Sequence, residues 1–508
     1  MNMFDLTARR ARLNPDHLAL EDLADGTRYT YRELDEQAAR FAAAAAGCWN
    51  LQAGARIAWL GHNRAEFFAM LFGCAKAGLI LVPLNWRLAI PELEVLLDDS
   101  QPDVLIYGAE FASTAAQLAA RHPAPLQLVA LDHSPENHRH YGTDLASVTP
   151  DLTPCPERDP DSPWYLLYTS GTTSRPKGVI QTFRMMMANY LNIGLAVRLN
   201  ADDVLLNVLP VFHTAGINLY SSALLMLGGT VLVQRTFDAS QALDILAGRA
   251  TIFFGVPAIY QALLEHPAFA GERLQRVRSW GCGGAAMPVA VAQRYAQAGI
   301  LVRTGMGMTE AGPTVFLLDE DQVLRKPGAA GRPQLVTEVR IVDRAGRDVA
   351  PGEAGELLVR GPGVTPGYWQ RPEATAEAML PDGWLRTGDV ARCDEEGDYT
   401  IVDRWKDMFI SGGENVYPAE VEAVLLQHPD IAEAAVVGMA DERWGEVGHA
   451  SIVLTAGVET LDLEALRRFC RERLAGYKVP KVFQLREALP RNALGKVIKQ
   501  ELRDAAHH

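Results

Sequence analysis

The chain has 508 residues, too many for a single hydrophobic core, so two or more domains are expected. Hydrophobic residues make up 48% and charged residues 22% of the sequence, which are the proportions of an ordinary globular protein. The 62 acidic residues outnumber the 48 Lys and Arg residues, and a net charge of −14 argues against nucleic-acid binding, because an acidic surface repels phosphate.

The start of the chain predicts a hairpin followed by a helix. The N-terminal stretch contains no apolar core of signal-peptide length, so no secretory leader is expected. Residues 18–31 predict two short strands joined by Asp25–Gly26, a tight-turn pair. Thr30 and Glu33 form a capping-box pattern, which predicts a helix over the alanine-rich residues 32–47.

The most apolar stretch of the chain is residues 68–85. It includes Lys76, several glycines and a proline, which a membrane span rarely combines. We therefore expect a buried helix that runs into a strand, and no membrane span.

From there to about residue 330, short β-rich segments alternate with helical ones. The predicted strands are residues 55–61, 79–85, 103–108, 164–170, 251–257 and 277–284. Residues 257–266 and 288–299 are examples of the helices between them. This alternation predicts α/β layers with parallel strands.

The pattern changes near residue 331. Residues 331–361 show period-2 strands and turn glycines, which predict a small antiparallel β unit. Residues 416–503 return to mixed helix and strand, with Pro418 in the first turn of a helix. The predicted fold is α/β, with a large N-terminal domain (1–403), a hinge (404–407) and a smaller, mobile α+β C-terminal domain (408–508).

A loop rich in hydroxyl groups follows the strand at residue 165 and ends at Lys177–Gly178. Glycines let backbone N–H groups approach an anion, hydroxyl groups add donors, and lysine adds a compact positive charge. This combination predicts a polyphosphate cradle rather than a polar surface turn. Because Pro176 stands where a Walker A loop has its second glycine, the loop is of a different kind.

The loop resembles that of the AMP-forming acyl/aryl adenylating superfamily, which includes acyl-CoA synthetases, luciferases and peptide-synthetase adenylation domains. The resemblance extends from about residue 20 to about residue 500 and rests on several motifs in order. The family pattern is YTSGTTGxPKG, and Ser174 replaces its last loop glycine. The resemblance implies ATP phosphate binding by Thr169, Ser170, Gly171, Thr172, Thr173 and Lys177.

The second motif, residues 305–313, belongs to the active site in this family. The resemblance implies that Thr309 lies near the phosphate and that Glu310 binds Mg²⁺. A carboxylate is a hard ligand, which suits that ion. Met306 stands where the family has an aromatic residue on adenine, and a thioether can also pack on a ring. The resemblance also implies that Gly284 and Ala285 contact the nucleotide.

The later motifs contain the residues expected to bind the ribose, to form the hinge between the domains and to face the site during thioester formation. The resemblance implies that Asp389 binds both ribose hydroxyls, which one carboxylate can accept together, with Arg404 assisting. Lys406 corresponds to the hinge between two catalytic poses. The resemblance implies that Lys496 contacts the substrate carboxylate and the α-phosphate, and that Gly412, Gly413 and Glu414 face the site during thioester formation.

Residues 209–220 and 281–288 indicate which class of carboxylic acid is the substrate. His213 follows Phe212 where amino-acid-activating relatives have an aspartate, which argues against an α-amino acid. Gly281 and Gly283 are expected in the wall of an acyl pocket, because missing side chains leave room. Neither stretch contains Lys or Arg to pair with a second carboxylate. We expect an apolar monocarboxylic acid: a medium- or long-chain fatty acid first, an aryl acid second.

The resemblance implies a two-step ligase that uses ATP, Mg²⁺ and coenzyme A. A carboxylate and ATP form acyl-AMP and pyrophosphate, and a thiol then displaces AMP. A stand-alone enzyme that loads a carrier-protein phosphopantetheine is the alternative. A non-catalytic nucleotide-binding homologue is opposed by the intact Lys177, Glu310, Asp389 and Lys496.

The remaining expectations concern compartment and partners. The six cysteines form no CxxC pair, which argues against zinc and disulfides and favours a cytoplasmic protein. The expected partners are the carboxylic acid, ATP and CoA, with no nucleic acid, and the sequence leaves a homodimer open.

Overall fold

The computed structural model describes residues 5–133, 135, 138–169, 176–285, 287–411, 414–441, 444–491 and 495–506. Contacts divide the chain into two compact units. The first comprises Met1–Val339 and Val359–Leu385, and the second comprises Arg340–Leu358 and Arg386–His508. The domain boundary predicted at residues 404–407 remains a prediction.

The helices and strands are numbered in chain order. The helices are α1 (Leu6–Leu13), α2 (Tyr31–Gly47), α3 (Ala65–Ala77), α4 (Ile90–Ser100), α5 (Ala112–Arg121), α6 (Tyr141–Ala146), α7 (Phe183–Asn189), α8 (Ala223–Leu227), α9 (Ala239–Gly248), α10 (Pro257–Glu265), α11 (Val289–Gln297), α12 (Pro372–Ala378), α13 (Pro418–Leu425), α14 (Leu463–Arg471) and α15 (Lys499–Ala506). The strands are β1 (Leu18–Asp22), β2 (Arg28–Thr30), β3 (Arg56–Leu60), β4 (Ile80–Pro83), β5 (Val104–Tyr107), β6 (Gln127–Ala130), β7 (Arg139–His140), β8 (Tyr165–Thr169), β9 (Lys177–Gln181), β10 (Val204–Asn207), β11 (Thr230–Val233), β12 (Ile252–Gly255), β13 (Ser279–Cys282), β14 (Val302–Gly307), β15 (Thr314–Leu317), β16 (Arg332–Pro333), β17 (Glu338–Val342), β18 (Ala354–Arg360), β19 (Leu385–Cys393), β20 (Tyr399–Arg404), β21 (Phe409–Ser411), β22 (Glu414–Val416), β23 (Ile431–Asp441), β24 (Gly445–Leu454) and β25 (Val482–Leu485).

The first unit is built on two mostly parallel sheets. One has seven strands in the order β7-β6-β5-β3-β4-β8-β9, and the other has nine in the order β16-β15-β14-β13-β12-β10-β11-β1-β2. The parallel pairs include β3–β4, β3–β5, β10–β12 and β12–β13. Strands β8 and β9 pair antiparallel. The predicted α/β layers and the six predicted strands are confirmed.

Local sequence signals account for the start of this unit. The Thr30 hydroxyl accepts from the Glu33 backbone N–H at 3.3 Å, and the Glu33 carboxylate accepts from the Thr30 N–H at 2.8 Å. This capping box begins α2 where the sequence predicts it. The turn between β1 and β2 contains Gly26 at φ 77°, a conformation that glycine adopts without strain.

Residues 68–85 form the end of α3 and all of β4, as predicted, and both elements are almost entirely buried. The Lys76 ammonium on α3 lies 2.6 Å from Asp5 Oδ1 and 2.8 Å from Asp35 Oδ1, so its charge is balanced inside the protein. Across the described ranges, no helix has the length and apolar character to cross a membrane.

The second unit contains a four-stranded sheet in the order β17-β18-β19-β20 and a sheet in the order β22-β21-β24-β23, with β25 parallel to β24. Of the strands within residues 331–361, β17 and β18 belong to the four-stranded sheet, whereas β16 pairs with β15 in the nine-stranded sheet. Helix α13 begins at Pro418 as predicted, and Asp403 Oδ2 accepts from the Ala419 N–H at 2.8 Å in its first turn.

Candidate active site

The predicted phosphate loop joins two antiparallel strands. Thr169 ends β8, Lys177 begins β9, and the two residues are direct partners across the pair. The hairpin therefore closes the loop at its base. The loop residues Ser170, Gly171, Thr172, Thr173 and Ser174 lie outside the described residues.

Lys177 and Glu310 both contact Tyr368. The Lys177 Nζ is 4.9 Å from the centroid of the Tyr368 ring, a cation–π distance. The Tyr368 hydroxyl donates to Glu310 Oε1 at 3.1 Å. Burial raises the pKa of Tyr368, and the negative charge of Glu310 raises it further, so the hydroxyl keeps its proton at neutral pH. The predicted residues Lys177 and Glu310 are thus brought together by a tyrosine that the sequence analysis did not identify.

Thr309 and Glu310 occupy a buried 3₁₀ turn, Thr309–Ala311, directly after β14. The Gln181 side-chain amide donates to the Thr309 carbonyl at 3.0 Å, and the Thr365 N–H donates to the Glu310 carbonyl at 2.8 Å. A Cβ at Gly307 would overlap the Pro313 carbonyl oxygen, so the approach to this turn requires glycine.

A buried polar network supports the turn. The Asn218 Nδ2 donates to Gln181 Oε1 at 3.1 Å and to the Thr214 hydroxyl at 3.0 Å. The Tyr165 hydroxyl on β8 donates to Asn218 Oδ1. Because its members are paired in low dielectric, the network holds β8, β9 and the Thr309 turn in one arrangement.

The predicted nucleotide-binding residues Met306, Gly284 and Ala285 occupy two places. Met306 is half-buried on β14, where it pairs with Phe316 on β15. Gly284 and Ala285 are exposed beyond the end of β13, and Gly284 has φ 79°. Their contact with nucleotide remains a prediction.

The predicted acyl pocket residues Phe212 and His213 lie next to an aromatic–cation pair. The Phe212 ring is 6.4 Å from Trp86, edge to face, and the Arg87 guanidinium lies 4.9 Å from the Trp86 ring and 5.7 Å from Phe212. Burial lowers the pKa of Arg87. His213 Nδ1 accepts from the Ala215 N–H at 3.3 Å. The sequence analysis missed Arg87 because it lies in a different segment, after β4.

Aromatic side chains occupy the space beside Gly281 and Gly283 that the sequence analysis expected to be open to the acyl group. A Cβ at Gly281 would lie 2.7 Å from Phe254 Cδ2 and 2.9 Å from the Tyr220 hydroxyl oxygen. A Cβ at Gly283 would lie 3.0 Å from Phe254 Cζ. The Phe254 and Tyr220 rings meet edge to face at 5.7 Å. The glycines therefore form a backbone surface against which an aromatic wall packs.

In the second unit, Asp389 and Arg404 are partners across β19 and β20, and their side chains form an ion pair with Nε 2.8 Å from Oδ1. Asp389 is buried, and its backbone N–H donates to the Thr387 hydroxyl at 3.0 Å. The two residues predicted at the ribose are therefore in direct contact.

The other predicted residues of this unit lie in turns or at element ends. Lys406 is in the turn after β20, where the neighbouring Asp407 accepts from Arg503 of α15 at 2.9 Å. Lys496 is exposed shortly before α15, and Glu414 is exposed at the start of β22. Gly412 and Gly413 lie outside the described residues. The hinge and catalytic roles of these residues remain predictions.

Glu310 fits the Mg²⁺ ion that the resemblance implies. Within the ranges given above, no cluster of three or more His, Cys, Asp or Glu residues could hold a metal ion. Mg²⁺ commonly binds through one or two carboxylates together with substrate phosphates. The buried Glu310 carboxylate, which contacts the same tyrosine as Lys177, suits an ion that binds with ATP.

Comparison with known proteins gives matches along the chain. Residues 7–369 match the AMP-binding enzyme family, and residues 420–496 match the AMP-binding enzyme C-terminal domain. The chain is 43% identical to a feruloyl-CoA synthase of Amycolatopsis sp, covering 97% of each protein. It is 39% identical to an indoleacetate–CoA ligase of Aromatoleum aromaticum (88% and 87% covered) and 36% identical to the long-chain-fatty-acid–CoA ligase FadD13 of Mycobacterium tuberculosis (98% and 97% covered).

Solved structures match the whole fold. ATP-bound MatB from Rhodopseudomonas palustris superposes with a TM-score of 0.89 at 32% identity over 99% of each chain. The o-succinylbenzoate CoA synthetase MenE from Bacillus subtilis, in complex with its acyl-adenylate intermediate OSB-AMP, gives 0.85 at 32% identity over 98% of each chain. The predicted arrangement of a large N-terminal and a smaller C-terminal domain agrees with these matches.

Proposed function

This chain belongs to the AMP-binding enzyme family and is an AMP-forming acid–CoA ligase that uses ATP, Mg²⁺ and CoA, and we propose that its acid is an apolar monocarboxylic acid with an aromatic ring. The sequence analysis placed a fatty acid first and an aryl acid second. We reverse that order because feruloyl and indoleacetate groups, in the names of the 43% and 39% identical relatives, both contain a ring.

The observation that carries the proposed acid is the aromatic wall at Gly281. Phe254 and Tyr220 pack against the backbone there, at the carboxyl end of β13, where parallel sheets commonly bind ligands. Aromatic rings favour offset or edge-to-face contact with another ring, so the half-buried Phe254 ring, supported by the buried Tyr220, suits a flat acid. Burial raises the pKa of Tyr220 to about 12, so its hydroxyl is neutral at physiological pH.

In the proposed first step, the substrate carboxylate attacks the α-phosphorus of ATP, and the bond to pyrophosphate breaks. The acid is already ionised at neutral pH, so the step needs no general base. We assign Lys177, Thr309 and Lys496 to the phosphate oxygens, where fixed positive charge and donors stabilise the developing negative charge. Mg²⁺ supplies further charge stabilisation when bound, and Glu310 is the residue that would hold it.

In the proposed second step, the CoA thiol attacks the acyl carbon and AMP leaves. We assign Asp389 to the ribose hydroxyls, because its carboxylate accepts hydrogen bonds and Arg404 fixes one oxygen. Phe212, His213 and Glu414 are proposed to line the path of the acid and the thiol, together with Gly412 and Gly413. Lys406 is proposed as the hinge residue between the two steps.

Pyrophosphate release with ATP and Mg²⁺ tests the function across ferulate, 4-coumarate, indoleacetate, benzoate, octanoate, palmitate and 2-succinylbenzoate, each with and without CoA. We expect CoA-dependent turnover on a ring-bearing monocarboxylate. Turnover confined to octanoate and palmitate would contradict the ring-bearing acid and identify a fatty acid as the substrate. A preference for 2-succinylbenzoate, which has two carboxylates, would contradict the proposal of a monocarboxylic acid. Arg87 would then be the candidate partner of the second carboxylate. Turnover that phosphopantetheinyl carrier protein accelerates and CoA does not would identify a carrier-protein loader.

A further inference from the structure

Tyr368 connects the two charged residues assigned to ATP in the first unit. We infer that Tyr368 is a positioning residue for adenylate formation, which sets the Glu310 carboxylate beside Lys177 before the Mg²⁺–nucleotide complex binds. The inference rests on the proposed function, since it concerns the same site. Tyr368 itself acts through Glu310 and Lys177.

The two contacts of Tyr368 use different parts of its side chain. The hydroxyl donates to Glu310 Oε1 at 3.1 Å, while the face of the ring lies 4.9 Å from the Lys177 ammonium. One planar side chain therefore contacts an anion and a cation from two separate segments, and it limits how far either can turn. A direct Lys177–Glu310 ion pair would instead neutralise both charges before ATP arrived.

The backbone around Tyr368 is fastened to both segments. Tyr368 forms an antiparallel bridge with Val179 of β9, and the Ile180 N–H donates to the Gly367 carbonyl at 3.1 Å. The Thr365 N–H donates to the Glu310 carbonyl at 2.8 Å. The short segment 365–369 thus connects β9, which carries Lys177, to the turn that carries Glu310.

The hydrogen bond of Tyr368 fits this role. An ionised carboxylate can only accept hydrogen bonds, so the Tyr368 hydroxyl is the donor to Glu310. Carboxylates that bind metals are themselves oriented by hydrogen bonds from neighbouring groups, and removing such a group commonly lowers metal affinity about 10- to 100-fold.

Tyr368→Phe removes the hydrogen bond to Glu310 and keeps the ring beside Lys177, whereas Tyr368→Leu removes both contacts. The matched control is Tyr295→Phe, because Tyr295 is a buried tyrosine of the same unit whose hydroxyl donates to the Tyr260 carbonyl at 2.9 Å. Binding of a non-hydrolysable ATP analogue is measured by calorimetry over a range of Mg²⁺ concentrations and in EDTA. Thioester formation from supplied acyl-adenylate is measured in parallel.

We expect Tyr368→Phe to weaken Mg²⁺-dependent binding of the analogue by about tenfold or more, with binding in EDTA and thioester formation unchanged. Tyr368→Leu is expected to weaken binding in EDTA as well, through Lys177. Equal Mg²⁺ dependence in Tyr368→Phe and Tyr295→Phe would overturn the inference, as would parallel losses in Mg²⁺ and EDTA for Tyr368→Phe. Absence of acid-dependent pyrophosphate release by the wild type would overturn the proposed function alone, because nucleotide binding needs no acid.

Discussion

Arg404 Nε lies 2.8 Å from Asp389 Oδ1, and the two residues face each other across neighbouring antiparallel strands. The arginine is partly exposed while the aspartate is buried, so the ion pair fixes the orientation of a buried carboxylate. A carboxylate fixed in this way can accept two hydroxyl donors together.

Asp389→Asn is therefore expected to weaken AMP binding. Hydrogen bonds to a charged group contribute about 1.5–3 kcal/mol, so the dissociation constant should rise roughly tenfold or more. Titration calorimetry with AMP measures this change. Arg347→Ala, which removes an exposed ion pair with Asp343, is the control and should leave AMP binding unchanged. Unchanged binding in Asp389→Asn would remove Asp389 from the ribose site.

Lys496→Ala is expected to separate the two half-reactions. Loss of a positive charge at the attacked phosphate should slow acyl-AMP formation roughly 100-fold or more. Thioester formation from supplied acyl-adenylate should continue, since it transfers no phosphoryl group. Pyrophosphate release and acyl-CoA formation are measured separately. Equal losses in both assays would contradict the assigned role.

Gly281→Ala is expected to alter the acyl pocket. The added methyl group would lie 2.7 Å from Phe254 Cδ2, so the Phe254 ring would have to move. Overpacking of this kind commonly costs about 1–3 kcal/mol of stability, and kcat/KM should fall most for the largest ring-bearing acid. Thermal denaturation and a kcat/KM series on acids of increasing size measure both effects. Gly248→Ala is the control, because a Cβ there would contact nothing within 4 Å.

The ionisation of Cys282 is expected to lower the stability of the folded protein at alkaline pH. Burial raises the pKa of Cys282 to about 12, whereas an exposed cysteine titrates near 8.5. Because the folded-state pKa is raised, the contribution to stability is complete below about pH 8.5 and is lost as the pH rises toward 12. Cys282→Ala should reduce the alkaline loss of stability, measured by denaturation at pH 8 and pH 10.

Thiol alkylation provides an independent check of the same environment. In the native protein at pH 8, iodoacetamide should leave the buried Cys74, Cys282 and Cys470 unmodified and react faster with the half-buried Cys48, Cys155 and Cys393. Peptide mass spectrometry identifies the modified sites. Rapid labelling of Cys282 would contradict its burial.

Elements that depend on neighbouring residues could be predicted from the sequence. The Thr30–Glu33 capping box, the Asp25–Gly26 turn and the strand at Tyr165 are encoded within a few positions, so local patterns identify them. The Thr309–Glu310 turn could be located only through its motif, because its geometry depends on Gln181 and Thr365.

Tyr368 and Arg87 illustrate what the sequence did not reveal. Tyr368 meets Glu310 across 58 positions of the chain, and Arg87 meets Phe212 from a distant segment of the chain, so neither pairing has a local pattern. At Gly281, the sequence predicts a missing side chain and therefore room. Which group fills that room depends on Phe254 and Tyr220 from other elements.

The ion group around Lys76 has a practical consequence for anyone who shortens or extends this protein. Asp5 precedes the first helix, yet its carboxylate lies 2.6 Å from an ammonium group deep in α3. A chain cut after residue 5 would keep every residue assigned to catalysis and still leave Lys76 with one buried counter-charge instead of two. An affinity tag added before Asp5 leaves that carboxylate in place, whereas a cut that removes Asp5 also removes one of the two ion pairs of Lys76.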